Sequence, residues 1–312
     1  MDKVIVTGAS GFIGTALMKR LLSEGYQVYA VIRNPGKISV KHDNLTIIKA
    51  DITDYAALDQ LISDRDFDTF FHVAWDGVSR DSYQDYYKQL KNTACSADAL
   101  MSAVKLKAKK FIFVSSIVAL EAKHYMIVDD GSPRAATIYG AAKSAAEAIC
   151  KTLAFHHGMS FNTAVIASAY GEGDRSEMVQ NTVIRALQRG ECPKLADGEK
   201  LYDWIYIDDI VPALIMISKK GKAGRTYYVG HRELQTFEYL VSKTRDIIAP
   251  DIVLKFGTLT DATVTDYSLI DREALFLDTG FECQTDFTES IIKTAAWLRF
   301  IDQEQMKKWE KL

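Results

Sequence analysis

Cysteine is scarce and scattered. The four present, Cys95, Cys150, Cys192 and Cys283, lie far apart with no Cys-x-x-Cys pair. That argues against a disulfide framework or a zinc site and fits reduced cytosolic thiols, so no metal is expected. An excess of one charge is also lacking. The formal net charge is -3 with both signs interspersed, so no electrostatic surface for nucleic acid is expected. No apolar run approaches the ~20 residues of a membrane span. The chain starts directly in strand and turn, so no signal peptide and a cytoplasmic location are expected. Internal repeats and low-complexity segments are missing too. What is left is a globular chain, 48% apolar over 312 residues, enough for one large or two modest domains.

The richest stretch is Val4-Ile-Val-Thr-Gly-Ala-Ser-Gly-Phe-Ile-Gly14. Val4 to Val6 read as a short buried strand. Gly8, Gly11 and Gly14 follow at a spacing of three, and Ala16, Leu17, Leu21 and Leu22 then recur at helical spacing. Gly8 permits a tight turn, Gly11 lets the backbone approach a pyrophosphate, and Gly14 lets the helix pack closely on the strand. Free N–H groups at the helix start face the phosphates. Gly8, Ser10, Gly11, Phe12, Ile13 and Gly14 are the expected cofactor contacts here. A glycine triplet alone is weak; its place between strand and helix gives it meaning.

Gln27 to Ile32 is a second strand, ended by the turn Arg33-Asn-Pro-Gly36. At this strand end an acidic residue accepts the ribose 2′-OH of NAD, whereas an arginine accommodates a 2′-phosphate. Arg33 stands there, with no Asp or Glu between Gln27 and Gly36. NADP(H) is therefore preferred, with NAD(H) the alternative if Arg33 is only a solvated surface residue. Ser10 adds a hydroxyl for that phosphate. After a third strand, Leu45 to Lys49, Asp51 suits the adenine amino group and Ile52 its ring, while Thr53 or Asp54 caps a helix from Tyr55 to Ile62. Thr69 to Val73 is strand four. Ala74 is small where the cofactor must pass, and Trp75 either stacks on a substrate ring or walls the cleft.

Asp81 to Val104 reads as a long helix containing Asn92. Phe111 to Val114 is strand five, ending in Ser115-Ser116 and a polar loop. Tyr139 to His156 is a helix and Phe161 to Ile166 strand six. This alternation predicts an α/β chain with a doubly wound parallel Rossmann sheet. From Ser168 the texture changes. Met178 to Arg189 reads as a helix with Asn181 in its first turn, either a substrate contact or a surface asparagine. Asp208 N-caps a helix from Ile210 to Ser218, Thr226 to Val229 is a last short strand, and the rest reads as helices with one or two small strands. The expected division is 1–167 plus about 204–230 as the dinucleotide-binding domain, with about 168–203 plus 231–312 as a smaller mixed α/β substrate lobe.

Tyr139-Gly-Ala-Ala-Lys143 sets a phenol and an ammonium a turn apart on one helix face. The phenol must give or take a proton at a substrate oxygen, and its ordinary pKa of about 10 is too high for neutral pH. A neighbouring ammonium and a positive nicotinamide would lower it, and a serine hydroxyl would fix the substrate oxygen beside it. Tyr87/Lys91 and Tyr239/Lys243 match the same spacing. Only Tyr139 follows a strand ending in serines and heads the helix before strand six. Ser116 is preferred over Ser115, and the choice matters because the two point to opposite sides of an extended segment.

Together, Thr7-Gly-Ala-Ser-Gly-Phe-Ile-Gly14, Asp51-Ile52, Phe113-Val-Ser-Ser116, Tyr139-Gly-Ala-Ala-Lys143, Tyr170-Gly-Glu-Gly173 and Asp203-Trp-Ile-Tyr-Ile-Asp-Asp209 resemble an extended short-chain dehydrogenase/reductase. The group they are most similar to is the NAD-dependent epimerase/dehydratase family acting on nucleotide sugars. The resemblance spans almost the whole chain. It implies a Rossmann domain, a nucleotide-sugar lobe, a Ser116/Tyr139/Lys143 triad, an Asn92 that orders water or the backbone near Lys143, and a homodimer built on the helices Asp81 to Val104 and Tyr139 to His156. The chain departs from that pattern in informative places. Ile117-Val118 follows Ser116 where dehydratases carry Asp-Glu, which argues against dehydration. Glu172 replaces a turn proline, Val165 and Ser168 replace an arginine and an asparagine, and Trp75-Asp76-Gly77 replaces a run of small residues. The expectation is an NADPH-dependent reductase of a 4-keto-6-deoxy nucleotide sugar. The alternatives are a nucleotide-sugar 4-epimerase holding NAD and a non-catalytic NADP(H)-binding protein.

Overall fold

The computed structural model describes residues 2–78, 82–127, 137–260 and 265–309. In chain order the first stretch carries β1 (Lys3–Thr7), α1 (Phe12–Ser23), β2 (Gln27–Ile32), β3 (Leu45–Lys49), α2 (Leu58–Leu61), β4 (Thr69–His72), α3 (Tyr86–Lys105), β5 (Lys110–Ser116), α4 (Val118–Ile127), α5 (Thr137–His156) and β6 (Ser160–Ile166). There follow β7 (Ser168–Tyr170), α6 (Val179–Gln188), β8 (Leu201–Tyr202), β9 (Trp204–Tyr206), α7 (Ile207–Lys220), β10 (Thr226–Val229), β11 (Gln235–Thr236), α8 (Phe237–Ile248), α9 (Ala274–Thr279) and α10 (Phe287–Trp309). The chain forms two compact units, Met1–Ile166 with Val211–Val229 and Thr263–Glu282, and Ala167–Ile210 with Gly230–Ala262 and Cys283–Leu312.

The first unit holds a seven-stranded sheet in the order β10-β6-β5-β4-β1-β2-β3. Every pairing is parallel, from Val4↔Val28 and Val4↔Thr69 outward to Thr226↔Thr163. A parallel sheet is covered on both faces, so its strands read as continuous apolar runs rather than alternating ones. Val4, Ile5 and Val6 are fully buried, as are Phe70, Phe71, Phe111, Ile112 and Phe113. The order reverses between β1 and β4, and ligands of such sheets sit beyond the strand ends at that reversal. Gly8 and Ala74 follow those two strand ends.

The second unit pairs β7 with β9 in parallel and β8 with β11 antiparallel, with α6, α8 and α10 packed on one another. Among the described residues no helix is long and apolar enough to cross a membrane.

The structure corrects several boundaries. Val118–Ile127 is helix α4 where a polar loop was expected; Ala119 to Ala122 are all buried, so no solvent-facing stripe marks it as helical. Asp81, the expected start of the long helix, lies outside the described residues, and α3 begins at Tyr86 with Asp85 as its cap. Tyr55 to Ile62 is a 3-10 turn over Ile52–Ala57 followed by the short α2. Asp208 sits in the first turn of α7 rather than before it. Thr263–Glu282 joins the first unit, not the second. There Asp278 accepts from the Tyr227 hydroxyl at 2.8 Å and pairs with Lys222 at 2.6 Å and Arg225 at 3.0 Å.

Candidate active site

The turn after β1 is assembled backbone against backbone. Gly8 has φ +67°, and a Cβ there would lie 2.9 Å from the Ala74 Cα. A Cβ on Gly14 would lie 2.2 Å from the Gly8 carbonyl oxygen. A methyl group forced into such a gap must displace backbone. Gly14→Ala is therefore expected to destabilise the chain by about 1–3 kcal/mol, read as a lower urea midpoint; an unchanged midpoint would show that the turn yields without strain. Gly11 is the N-cap of α1 and no side chain caps that end, so the helix offers its first N–H groups to an anion. Ser10, Phe12 and Ile13 flank it, half-buried.

At the far end of β2, Arg33 is exposed and its Nη1 lies 3.8 Å from Asp51 Oδ2. Asp51 is also the cap of the segment that follows. Its Oδ1 accepts from the Thr53 N–H at 3.2 Å, and Asp54 Oδ2 accepts from the Asp51 N–H at 2.8 Å. This reciprocal box corrects the assignment of the cap to Thr53 or Asp54. Ile52 is half-buried behind it.

Ala74 is positioned by a buried chain of hydrogen bonds. Thr7 Oγ1 accepts from the N–H groups of Val73 and Ala74, each at 3.2 Å. Its own proton is then directed to His72 Nδ1 at 3.0 Å. Ser96 donates to the Asn92 carbonyl at 2.8 Å, so it accepts from His72 Nε2 at 3.1 Å. The network assigns His72 the neutral Nε2–H tautomer. Burial agrees, pushing its pKa down to about 3.

Tyr139 and Lys143, one turn apart on α5, are 5% and 4% exposed. The two other Tyr/Lys pairs are surface features, with Tyr87 at 72% and Tyr239 at 47%. Ser116 is half-buried at the end of β5, and its Oγ accepts from the Val118 N–H at 3.3 Å. Ser115 is buried on the other side. Burial raises the Tyr139 pKa, the charge of Tyr83 adds to the rise, and a hydrogen bond with Ser116 lowers it. The ammonium and nicotinamide expected to lower this phenol do not act on it in the chain alone, where the Lys143 nitrogen is directed elsewhere. It donates to the Val114 carbonyl at 2.9 Å and lies 3.9 Å from the centroid of the Trp75 ring. Burial brings its pKa down from 10.5 to about 7. Trp75 thus has an ammonium over its ring where a sugar was considered. Its edge meets Tyr139 at 6.0 Å.

In the second unit Asn181 is fully buried rather than at the surface. Its Nδ2 donates to Asp174 O at 3.2 Å, Asp174 Oδ2 at 2.8 Å and Ser176 O at 3.0 Å, tying that turn to α6. Asn92 clamps Asp76, accepting from its N–H at 2.9 Å and donating to its carbonyl at 2.7 Å.

Two residues near the site escaped the sequence reading. The Tyr83 ring stacks on Tyr139 at 4.5 Å. Gln89 is fully buried and accepts from the Trp75 indole N–H at 2.8 Å. A signal for Gln89 was present: Gln89, Asn92, Thr93 and Ser96 form a polar stripe at helical spacing on α3, and all four are buried. Among the described residues no cluster of three or more His, Cys, Asp or Glu side chains could hold a metal ion.

A model of the NAD dependent epimerase/dehydratase family matches residues 4–230. The chain is 31% identical over 240 residues to an uncharacterized protein of Sinorhizobium fredii, covering 76% of this chain. It is 24% identical over 324 residues, 94% of this chain, to a trifunctional UDP-glucose 4,6-dehydratase/UDP-4-keto-6-deoxy-D-glucose 3,5-epimerase/UDP-4-keto-L-rhamnose-reductase of Arabidopsis thaliana. The chain spans 58% of the first relative's length and 46% of the second's. Its fold is similar to that of a UDP-glucuronic acid 4-epimerase from Bacillus cereus, solved with UDP-glucuronic acid and NAD, at TM-score 0.77 and 21% identity over 96% of this chain and 99% of that one.

Proposed function

The chain belongs to the NAD dependent epimerase/dehydratase family, and we propose that it is an NADPH-dependent reductase of a keto group on a nucleotide-activated sugar, of the 4-keto-6-deoxy type. The observation that carries this reading is Arg33. It is exposed at the end of β2, where no carboxylate of that strand or turn competes for ribose hydroxyls. A reductase consumes and releases its cofactor, so a 2′-phosphate site is useful to it. An epimerase that recycles one held NAD gains nothing from one.

The cradle fits such a cofactor, because Gly11 leaves the start of α1 uncapped and Gly8 and Gly14 leave no room for side chains. Bound there, a nicotinamide dinucleotide supplies the hydride. The turn and the α1 N-terminus would hold the pyrophosphate, with Gly8, Ser10, Gly11, Phe12, Ile13 and Gly14 around it. Asp51 and Ile52 would receive the adenine, Ala74 would leave passage, and Lys143 would hold the ribose. Ser116 would orient the substrate carbonyl oxygen, and Tyr139 would give that oxygen its proton. Ile117 and Val118 after Ser116 provide no acid–base pair for removing water. Exposed Tyr86, Tyr87 and Leu90 on α3, with Ile149 and Phe155 on α5, support a homodimer.

Nucleotide-sugar 4-epimerisation is the second reading. It is favoured by the similarity to an epimerase solved with NAD. The two readings separate on cofactor balance. A reductase is expected to oxidise one NADPH for each ketone consumed, seen as loss of nicotinamide absorbance. Interconversion of two sugars with no added cofactor would overturn the first reading in favour of the second.

A further inference from the structure

Lys143 is an ammonium buried without a carboxylate. It is 4% exposed, no acidic side chain among the described residues pairs with it, and one of its three N–H groups goes to the Val114 carbonyl. Two aromatic rings lie close to its nitrogen, Trp75 at 3.9 Å and Phe113 at 5.2 Å from nitrogen to centroid. The Trp75 ring is itself held. Gln89 accepts from its indole N–H and donates from Nε2 to Gly77 O at 3.1 Å and Ser82 O at 2.9 Å. Asn92 grips the backbone of the next residue, Asp76, at both N–H and carbonyl. This Trp75-Asp76-Gly77 stretch is where the chain departs from a run of small residues.

We propose that Trp75 is a positioning residue for Lys143: its clamped indole face stands in for a counter-ion, favouring the charged form against burial and holding the nitrogen in place in the active site. The negative face of an indole attracts a cation, and most strongly when both are out of water. Burial alone favours the neutral amine, so the ring opposes that drift. Burial alone moves the Lys143 pKa, so the other groups around it, the buried Glu121 of the adjoining α4 included, do not supply the missing charge. On its own helix, Tyr139 is a buried neutral phenol, and Glu147 is engaged by Lys123 of α4 and by the Thr226 hydroxyl. From β4, His72 is neutral. The neighbouring loop brings the phenol of Tyr83 and the exposed Asp76, and α3 contributes buried, uncharged Gln89, Asn92, Thr93 and Ser96. The catalytic consequence rests on the reading of Lys143 as part of the triad; the ionisation itself does not.

The test is the titration of Lys143 in the whole protein, followed by NMR of lysine labelled at Cε, with the signal assigned by its loss in Lys143→Arg. In Trp75→Leu the midpoint is expected to fall by about one pH unit, a change that corresponds to about 1.4 kcal/mol. Trp75→Phe keeps a weaker ring and is expected to fall less. Should Trp75→Leu not fold, Trp75→Phe and Gln89→Leu, which frees the ring from its anchor, are expected to shift in the same direction. The alkaline limb of kcat/KM should move to lower pH with the midpoint, since less ammonium survives at any given pH; a merely structural tryptophan would lower activity without moving the limb. A midpoint unchanged in every folded variant overturns the proposal even if Tyr139 proves essential. If the midpoint moves but Tyr139→Phe keeps full turnover, the triad reading fails while the Trp75–Lys143 coupling stands.

Discussion

Tyr139→Phe is expected to lower turnover by about 10²–10⁴-fold, the usual worth of a positioned general acid, while cofactor binding persists. The ring keeps its stack on Tyr83 and its edge contact with Trp75, so the substitution removes the hydroxyl, with its hydrogen bond to Ser116, and leaves the ring packing in place. Because burial raises this phenol's pKa, it stays protonated through the neutral range, and the loss should be of similar size throughout that range. Tyr87→Phe and Tyr239→Phe share the sequence spacing but sit at the surface, so both should leave the chemical step intact. Steady-state turnover and cofactor titration on the same preparations decide it. Near-full activity in Tyr139→Phe would remove the acid from its assigned place.

Arg33→Asp should weaken NADPH at least about tenfold. A charged hydrogen bond contributes roughly 1.5–3 kcal/mol, and an arginine meets a phosphate through two parallel bonds. The Arg33 side chain is 70% exposed, so solvent and salt reduce that figure. Against this, the introduced carboxylate faces Asp51, which now lies 3.8 Å from the guanidinium, and both would repel a 2′-phosphate. NADH should weaken much less, or improve, since a carboxylate at this strand end can take ribose hydroxyls. In the unmutated protein the NADPH preference should shrink as ionic strength rises. Dissociation constants of both cofactors for both proteins are the measurement. Preference for NADH in the unmutated protein, or equal weakening of both cofactors, would leave Arg33 a surface residue and take away the chief support for a reductase.

The first βα unit was legible because its constraints are local: three glycines whose spacing meets one turn, between a strand and a helix. The parallel sheet was legible because strands covered on both faces read as unbroken apolar runs. Helix α4 was hidden for the converse reason, since burying four successive residues leaves no apolar stripe at the helical period. The partners of Lys143 were beyond reach of the sequence. Trp75 and Val114 belong to the ends of two strands whose adjacency exists only once β4 and β5 pair, and the direction in which burial moves a phenol or an ammonium depends on packing that spacing does not encode. Asn181 shows the same limit. Its helical position suggested the surface, and only the fold of the Asp174–Ser176 turn over it makes it interior.

The seven-stranded sheet is drawn from separated parts of the chain. Strands β1 to β6 come from one unbroken run, whereas β10 lies beyond one excursion into the other unit and the helix α9 that packs on it beyond a second. During synthesis the first six strands therefore emerge early and must persist with β6 at an unfinished edge. Its unpaired N–H and carbonyl groups are a template for any other extended segment, and large α/β chains are vulnerable to that encounter while incomplete. The register Thr226↔Thr163 to Val229↔Ile166 is thus a late event that covers the β6 edge.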